Sequence, residues 1–211
     1  MRHFVFDLDG VLIDSEPVKL AAFVEAVAEV CAPDAARLAE VAAWNAANRG
    51  VPRDAKIAHV LREILGAPPH LAPAVASRYA EKLADRLPRC RPLPGVAAFL
   101  ASVGATLHVA SSAPEAEIRA HLERHGLLRH FSTLSGHPRG KLDVLSRLRD
   151  AHPAATIVFF GDAPADLEAA MRAGVAFVAV NPTDDLRPLV TRWVPDFADA
   201  SAVLAAADPS V

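Results

Sequence analysis

The first sixteen residues contain an apolar segment that ends in acidic residues. Aromatic and β-branched side chains occupy Phe4 to Phe6, and the run FVFDLDGVLIDSE continues with Asp7 and Asp9 one residue apart. A short run of this kind predicts a buried strand. Gly10 then allows a sharp exit that a side chain would obstruct. The sequence therefore predicts a first strand whose carboxyl end carries two carboxylates.

A long helical segment follows this strand. Apolar residues recur at helical spacing as far as about Pro88, and prolines and glycines interrupt the pattern. The predicted helices are VKLAAFVEAVAEV, DAARLAEVAAWNAAN, RDAKIAHVLREIL and APAVASRYAEKLADRL. Such a block, placed between the first strand and the rest of the chain, predicts an inserted helical domain.

From residue 91 onward, predicted helices alternate with predicted strands. The helices are VAAFLASVG, PEAEIRAHLERHG, KLDVLSRLRD and ADLEAAMRAG, and the strands are TLHVAS, HFSTL, TIVFFG and VAFVAV. Alternation of this kind predicts an α/β fold with a doubly wound parallel sheet and helices on both faces. We predict a core of residues 1–14 and 90–211. Residues 15–89 would form a helical cap beside the ligand end of the sheet, where a lid would lie.

Composition excludes several classes of protein. The 211 residues are 52% hydrophobic and 22% charged, which is typical of a globular protein rather than a disordered one. A net charge of -3 gives no electrostatic reason to expect nucleic acid or an anionic membrane as a partner. No apolar run approaches the ~20 residues of a membrane span, and acidic residues interrupt any amino-terminal signal sequence. With only two cysteines, Cys31 and Cys90, a reducing cytosol is the expected location.

The spacing of Asp7 and Asp9 suits acid–base and nucleophilic chemistry. Alternate residues of an extended chain project to the same side, so both carboxylates can face one reacting centre. One can act as a nucleophile while its neighbour, held protonated, acts as an acid. A calcium loop is disfavoured because Gly10 comes too early and a strand precedes the motif. An isolated DxD can also be a solvated acidic turn, so the rest of the chain decides.

A second group of polar residues follows the predicted strand TLHVA. Ser111 and Ser112 come at its end, and Ala113 and Pro114 predict the start of a helix. A hydroxyl group and free backbone N–H groups at a helix N-terminus can hold a phosphate oxygen. The alternative is that one serine merely caps the helix.

The third and fourth groups supply further carboxylates and a cation. Asp162 and Asp166 follow the strand TIVFF, and with Asp7 and a backbone carbonyl they would suit Mg²⁺. Asp166 could instead only complement the helix dipole. Lys141, taken alone, could be a solvated surface residue. Near a carboxylate that attacks a phosphate it would offset a repulsion of about 4 kcal/mol per pair of unit charges.

In order along the chain, Asp7-x-Asp9-Gly10, Ser111, Lys141 and Gly161-Asp162-x-x-x-Asp166 resemble the four signature motifs of the haloacid dehalogenase-like (HAD) hydrolase superfamily. The resemblance covers essentially the whole chain. It implies a Rossmann-like core with a helical cap inserted after the first motif. Caps of this type occur in relatives of phosphoglycolate phosphatase and β-phosphoglucomutase.

The resemblance also implies catalytic roles. Asp7 would form an aspartyl phosphate, and Asp9 would be the acid and base. Ser111 and Lys141 would hold the phosphoryl group, with Gly10 and Ser112 among the substrate-binding residues. Haloacid dehalogenases and phosphonoacetaldehyde hydrolases lack an aspartate at the position of Asp9, so both activities are disfavoured.

A Mg²⁺ site is implied in the same way. Its ligands would be the carboxylates of Asp7 and Asp162 and the backbone carbonyl of Asp9, with Asp166 in a supporting position.

The lysine motif leaves an alternative open, because many relatives carry the lysine in a GKP segment. Here the comparable stretch is SGHPRGKLDVL, with His137 at that position. Lys141 is assigned because other members place the lysine a few residues later, before a helix.

The cap contains a basic loop, NRGVPRDAK. Its residues Arg49, Gly50, Arg53 and Lys56 could contact an anionic or polyhydroxylated leaving group, as in relatives with a similar arginine and lysine after a cap glycine. The alternative is a solvated turn between helices.

The overall prediction is a cytosolic, Mg²⁺-dependent phosphomonoester hydrolase of a small phosphorylated metabolite such as a sugar phosphate. A phosphosugar mutase and a catalytically idle binding module are the alternatives.

Overall fold

The computed structural model describes residues 1–208, which divide into two compact units. The first unit comprises Met1–Asp14 together with the chain from Arg91 onward, and the second is Ser15–Cys90. The helices are α1 (Glu16–Cys31), α2 (Ala35–Ala47), α3 (Arg53–His59), α4 (Ala72–Arg86), α5 (Val96–Ser102), α6 (Glu115–Arg124), α7 (Lys141–Ala151), α8 (Pro164–Ala173) and α9 (Ala200–Ala206). Short helical turns occur at Val60–Ile64, Pro69–Leu71, Leu87–Arg89, Leu128–His130 and Arg187–Leu189.

The first unit is built on a six-stranded sheet in which the paired strands run parallel. Its strands are β1 (Arg2–Phe6), β2 (Thr106–Pro114), β3 (Thr133–His137), β4 (Thr156–Gly161), β5 (Ala176–Val180) and β6 (Trp193–Val194). The prediction of an α/β fold with a parallel sheet is therefore confirmed.

The strand order β3-β2-β1-β4-β5-β6 determines where the sheet can bind a ligand. The chain adds strands on one side of β1 and then crosses to the other side to form β4. The connections that leave β1 and β4 diverge, so a crevice opens beyond the carboxyl ends of these two strands. The residues that directly follow β1 and β4 are therefore the ones to inspect for function.

Both faces of the sheet are buried by apolar side chains. On one face, Val5 and Phe159, which are paired in register, join a cluster with Leu145 of α7 and Ala170 of α8. On the other face, Phe6 and its register partner Phe160 stack with a ring-centroid distance of 4.8 Å. Strands buried on both faces have continuous apolar sequences, as FVF and IVFF do.

Several boundaries differ from those predicted. The predicted strand at residues 130–134 lies instead at Thr133–His137, since its pairing with β2 begins at the His108–Thr133 register pair. Strand β2 continues to Pro114, where it pairs with His137, so the predicted end at Ser111 and Ser112 was wrong. Neither β6 nor α9 was predicted. With two residues in β6 and seven in α9, the two elements carry too little periodicity.

The second unit consists of helices α1 to α4 and the turns between them. Helices α1 and α4 pack together, with Phe23 and Tyr79 in an edge-to-face contact of 5.6 Å between ring centroids. Glu25 of α1 accepts hydrogen bonds from Lys82 and Arg86 of α4, and these lower the pKa of Glu25 to about 2. The buried side chains of both helices supply most of the stabilisation, since exposed ion pairs contribute little.

No helix within residues 1–208 is both long enough and apolar enough to cross a membrane. Cys31 and Cys90 do not form a disulfide with each other.

Candidate active site

The carboxyl ends of β1 and β4 bring Asp7 and Asp162 to one place. Asp7 directly follows β1, and its backbone N–H donates to the carbonyl of Phe160 in β4 over 2.9 Å. Asp162 directly follows the last residue of β4. Both side chains are buried, with at most 5% of each residue exposed. These two acidic residues were predicted as site residues, and the structure places them at the crevice that the strand order defines.

Lys141 links the acidic residues of this site. It is the first residue of α7 and only 8% exposed. Its Nζ donates to Asp7 Oδ2 over 2.6 Å and also to Asp166 Oδ1. His137, the alternative candidate, is an exposed residue at the end of β3. The ammonium group beside Asp7 is therefore that of Lys141.

Asp166 positions the other groups. It lies in the first turn of α8 and is completely buried. While Oδ1 accepts from Lys141, Oδ2 accepts from the backbone N–H groups of Asp162 and Ala163, over 3.2 and 3.3 Å. Carboxylates are favourable at a helix N-terminus, so Asp166 complements the dipole of α8. Through its hydrogen bond, Asp166 also orients Lys141. The two possibilities that the sequence left open for Asp166 are thus compatible.

The buried charges shift the titration of Lys141 and Asp7. Burial by itself would lower the pKa of Lys141, but Asp166 and Asp7 outweigh it and hold that pKa above its ordinary value. Lys141 is therefore a cation at neutral pH. Burial raises the pKa of Asp7, the nearby Asp166 and Asp9 raise it further, and Lys141 opposes them. The carboxyl groups outnumber the one ammonium, and a bound cation would favour the ionised form of Asp7.

The site also meets the chemical requirements of a hard divalent cation. Carboxylate oxygens of Asp7, Asp162 and Asp166 lie within 4.8 Å of one another, and all three residues are buried. Oxygen ligands are those that Mg²⁺ prefers. Both oxygens of Asp166 accept hydrogen bonds, and so do both oxygens of Asp7, from Leu8 N–H and from Lys141.

Gly10 makes room for Asp162. A Cβ atom on Gly10 would lie 2.5 Å from Asp162 Oδ2, and the φ of Gly10 is +75°. Residue 10 must therefore be a glycine for two reasons, the left-handed backbone conformation and the contact with the carboxylate.

Gly10→Ala should therefore lower kcat/KM for phosphate release by about 100-fold, because a displacement of about 1 Å in a catalytic group can cost that much. Gly126→Ala is the matched control, since Gly126 also has a positive φ, +66°, but has no atom within 4 Å of a Cβ. Both variants are assayed across a Mg²⁺ titration. Equal activity of the two variants would show that Gly10 is required only for its backbone conformation.

Ser111 and Ser112 lie inside β2 rather than at a helix N-terminus. Helix α6 begins at Glu115 with Pro114 before it, so the predicted helix start at Ala113 and Pro114 was wrong. The register with β3 shifts between Ala110 and Pro114, so both serines lie in an irregular part of the strand pair. Ser111 is buried, and its Oγ accepts from the N–H of Ala113 over 3.3 Å. Neither serine caps α6, whose N-cap residue is Pro114.

Two basic residues of the cap loop, Arg53 and Lys56, contact side chains of their own unit. Arg49 is buried, and Gly50 has a φ of +76°. The Arg53 guanidinium lies 5.3 Å from the centre of the Tyr79 ring. Lys56 Nζ donates to Asn45 Oδ1 over 3.0 Å.

Asn45 was missed by the sequence reasoning. It is buried, and its Nδ2 donates to the carbonyl of Leu20 over 3.3 Å. Val41 and Asn45 are the buried residues of α2, one turn apart. A polar residue on an otherwise apolar helical stripe was the available indication that this position has a specific partner.

The family model of haloacid dehalogenase-like hydrolases matches residues 1–174. A phosphoglycolate phosphatase of Synechococcus elongatus is 32% identical over 194 residues, which cover 85% of this chain and 84% of that protein. A protein of Dickeya dadantii named "Probable phosphatase IndB" is 31% identical over 202 residues, covering 87% and 84%. A hydrolase structure from Pseudomonas syringae superimposes with a TM-score of 0.79 at 21% identity, covering 97% of this chain and 98% of that one.

Parallel strands that end in buried aspartates beside a lysine define an α/β fold with a candidate catalytic site at the carboxyl ends of its strands. With the matches above, the chain belongs to the haloacid dehalogenase-like hydrolase family, and it is a phosphatase of that family.

Proposed function

We propose that this phosphatase is a Mg²⁺-dependent phosphomonoester hydrolase that acts on a small phosphorylated metabolite through an aspartyl phosphate on Asp7. The observation that carries the proposal is the contact of 2.6 Å between Lys141 Nζ and Asp7 Oδ2 in a buried site. A carboxylate that attacks a phosphate dianion meets strong repulsion, and a fixed ammonium beside the attacking group reduces it.

The proposed reaction has two steps. A carboxylate oxygen of Asp7 forms a bond to phosphorus, the ester bond breaks, and Asp9 gives a proton to the departing alkoxide. Water then attacks the phosphorus of the aspartyl phosphate, and Asp9 takes a proton from this water. The bond between phosphorus and the Asp7 oxygen breaks, which releases inorganic phosphate and restores the Asp7 carboxylate. Lys141 holds the phosphoryl oxygens throughout, together with the Ser111 hydroxyl and backbone groups near Ser112.

The same residues fit a Mg²⁺ ion. Asp7, Asp162 and the backbone carbonyl of Asp9 would hold it, and Asp166 would support the arrangement through Lys141. When bound, the ion would neutralise negative charge on the phosphoryl group and on the carboxylates. The oxygen-only donor set and the excess of carboxylates support this assignment.

The leaving group is proposed to contact the cap loop, through Arg49, Gly50, Arg53 and Lys56. Arg53 and Lys56 are oriented by Tyr79 and Asn45, which would reduce the entropy lost when a polar ligand binds. Because one relative is named phosphoglycolate phosphatase, 2-phosphoglycolate is the first substrate to test, followed by sugar phosphates. Cys31 and Cys90 are not joined in a disulfide, which supports a cytosolic location for the enzyme.

The proposal is tested by phosphate release from a panel of phosphorylated metabolites, with Mg²⁺ present and after chelation. We expect release from at least one small phosphomonoester, with loss of the activity on chelation and recovery when Mg²⁺ is added back. Undiminished activity after chelation would contradict the role of Mg²⁺. Formation of a sugar bisphosphate in place of inorganic phosphate would indicate a mutase.

Asp9→Asn is expected to affect substrates unequally. Proton donation matters least when the departing oxygen is already stable, so p-nitrophenyl phosphate should lose much less activity than an alkyl phosphate. General acid catalysis contributes about 10²–10⁴-fold, and the loss on the alkyl phosphate should lie in that range. The comparison uses kcat/KM for both substrates. An equal loss on both would remove Asp9 from the acid role.

A further inference from the structure

A group of histidines lies at the end of the sheet opposite the catalytic aspartates. His3 is near the amino end of β1 and His108 is near the amino end of β2, whereas Asp7 follows the carboxyl end of β1. His152 directly follows α7, and Thr133 is the first residue of β3. We call the three histidines and Thr133 the histidine cluster. It connects three strands and the end of one helix.

The members of the histidine cluster contact one another directly. His3 Nδ1 and His108 Nε2 are 3.0 Å apart, and His108 Nδ1 is 2.8 Å from Thr133 Oγ1. The rings of His3 and His152 are stacked with their centroids 4.3 Å apart. His3 and His108 are 2% and 5% exposed. His3 and His108 are therefore a packed and nearly dry pair of imidazoles, whereas His152 is half-buried and Thr133 is exposed.

Hydrogen bonding within the histidine cluster favours neutral rings. The contact between His3 and His108 needs one N–H and one lone pair, so the two facing nitrogens cannot both be protonated. His3 Nε2 is buried and has no hydrogen-bond partner among residues 1–208. If His3 becomes an imidazolium while it donates to His108, its second N–H therefore remains buried without an acceptor, which is costly.

No negatively charged group among residues 1–208 acts on His3 or His108. The ionisable groups that act on His3 and His108 are His152, the amino group of Met1 and each other, and all of them are neutral or cationic. On the sheet, His3 lies opposite Thr106 of β2 and Ile157 of β4, neither of which ionises. A proton added to the cluster would therefore place an uncompensated charge in a buried site.

We propose that the histidine cluster is an acid-sensitive clasp that joins β1, β2, β3 and the end of α7 only while the imidazoles of His3 and His108 are neutral. Burial, followed by repulsion from His3 and His152, lowers the pKa of His108 to about 4, and burial lowers that of His3. An unfolded histidine titrates near pH 6.5, so between about pH 6.5 and 4 His108 binds more protons in the unfolded chain than in the folded one. The clasp thus contributes stability above about pH 6.5, and this contribution falls as the pH decreases towards 4.

The test compares thermal unfolding midpoints at pH 7.5 and pH 5.0. His108→Gln removes the titrating ring but keeps a donor and an acceptor, and His70→Gln, at an exposed position, is the matched control. The fall in midpoint on acidification should be smaller in His108→Gln than in wild type by about 5 °C or more. His70→Gln should behave like wild type. The same fall in all three proteins would overturn the proposal.

A second measurement needs no variant at this position. The imidazole signals of the folded wild-type protein are followed by NMR as the pH is lowered, and His70→Gln helps the assignment. We expect the His108 ring to stay neutral down to about pH 5. Titration of His108 near pH 6.5 in the folded protein would overturn the proposal even if His108→Gln failed to fold.

Discussion

Asp7→Asn is expected to reduce phosphate release by at least about 10³-fold, because an amide is neither a nucleophile nor an anionic ligand for a cation. The substitution keeps the size of the side chain and an oxygen that can still accept from Lys141. The fold should therefore survive. Steady-state kinetics on the best metabolite, with circular dichroism as the check on folding, make the measurement.

Asp14→Asn is the matched control for this experiment. Asp14 lies in the same amino-terminal segment but is exposed, and the exchange is chemically identical. It should leave activity within about twofold of wild type, as is usual for surface substitutions. If Asp7→Asn retained activity within tenfold of wild type, the aspartyl phosphate mechanism would have to be abandoned.

Lys141→Ala is expected to affect both activity and stability, whereas His137→Ala should affect neither strongly. Without the ammonium, Asp7 and Asp166 would face each other in a buried site with no cation between them. Removal of one partner from a buried ion pair costs about 3–5 kcal/mol. The phosphoryl group would also lose its fixed positive partner, so kcat/KM should fall by at least about 100-fold.

Two measurements separate these effects. Urea unfolding gives the loss of stability. The loss of catalysis in the folded protein is given by kcat/KM, measured without denaturant and well below the thermal unfolding midpoint. His137 is exposed, so its truncation should change both quantities little. A larger loss of kcat/KM in His137→Ala than in Lys141→Ala would mean that the lysine motif has been assigned to the wrong residue.

The alternation of helices and strands could be predicted because it depends on the local spacing of apolar residues along the chain. The runs FVF and TIVFF are continuous and apolar, as expected of strands covered on both faces, and the structure confirms the parallel sheet. Element ends were less predictable. The extension of β2 to Pro114 and the position of β3 depend on backbone hydrogen bonds between residues far apart in sequence.

The candidate site was predictable to the extent that strand ends determine position. Asp7 and Asp162 follow two apolar runs, and in a parallel sheet such residues meet at one edge. The choice between Lys141 and His137 could not be made from residue types, because both can carry a positive charge. Burial of Lys141 between two carboxylates makes the distinction, and it depends on how α7 and α8 pack.

The histidine cluster could not be predicted. His3 and His108 are 105 residues apart, and each would be an ordinary strand residue on its own. Their contact arises only because β1 and β2 are neighbours in register.

By itself, then, the sequence determined which segments form strands and which aspartates follow them, since both depend on side chains close together in the chain. Only the tertiary structure decided which cation faces Asp7, how Asp166 is used and that His3 meets His108. These three features depend on how distant segments pack and on the burial of their polar groups, and neither can be inferred from residues close together in the chain.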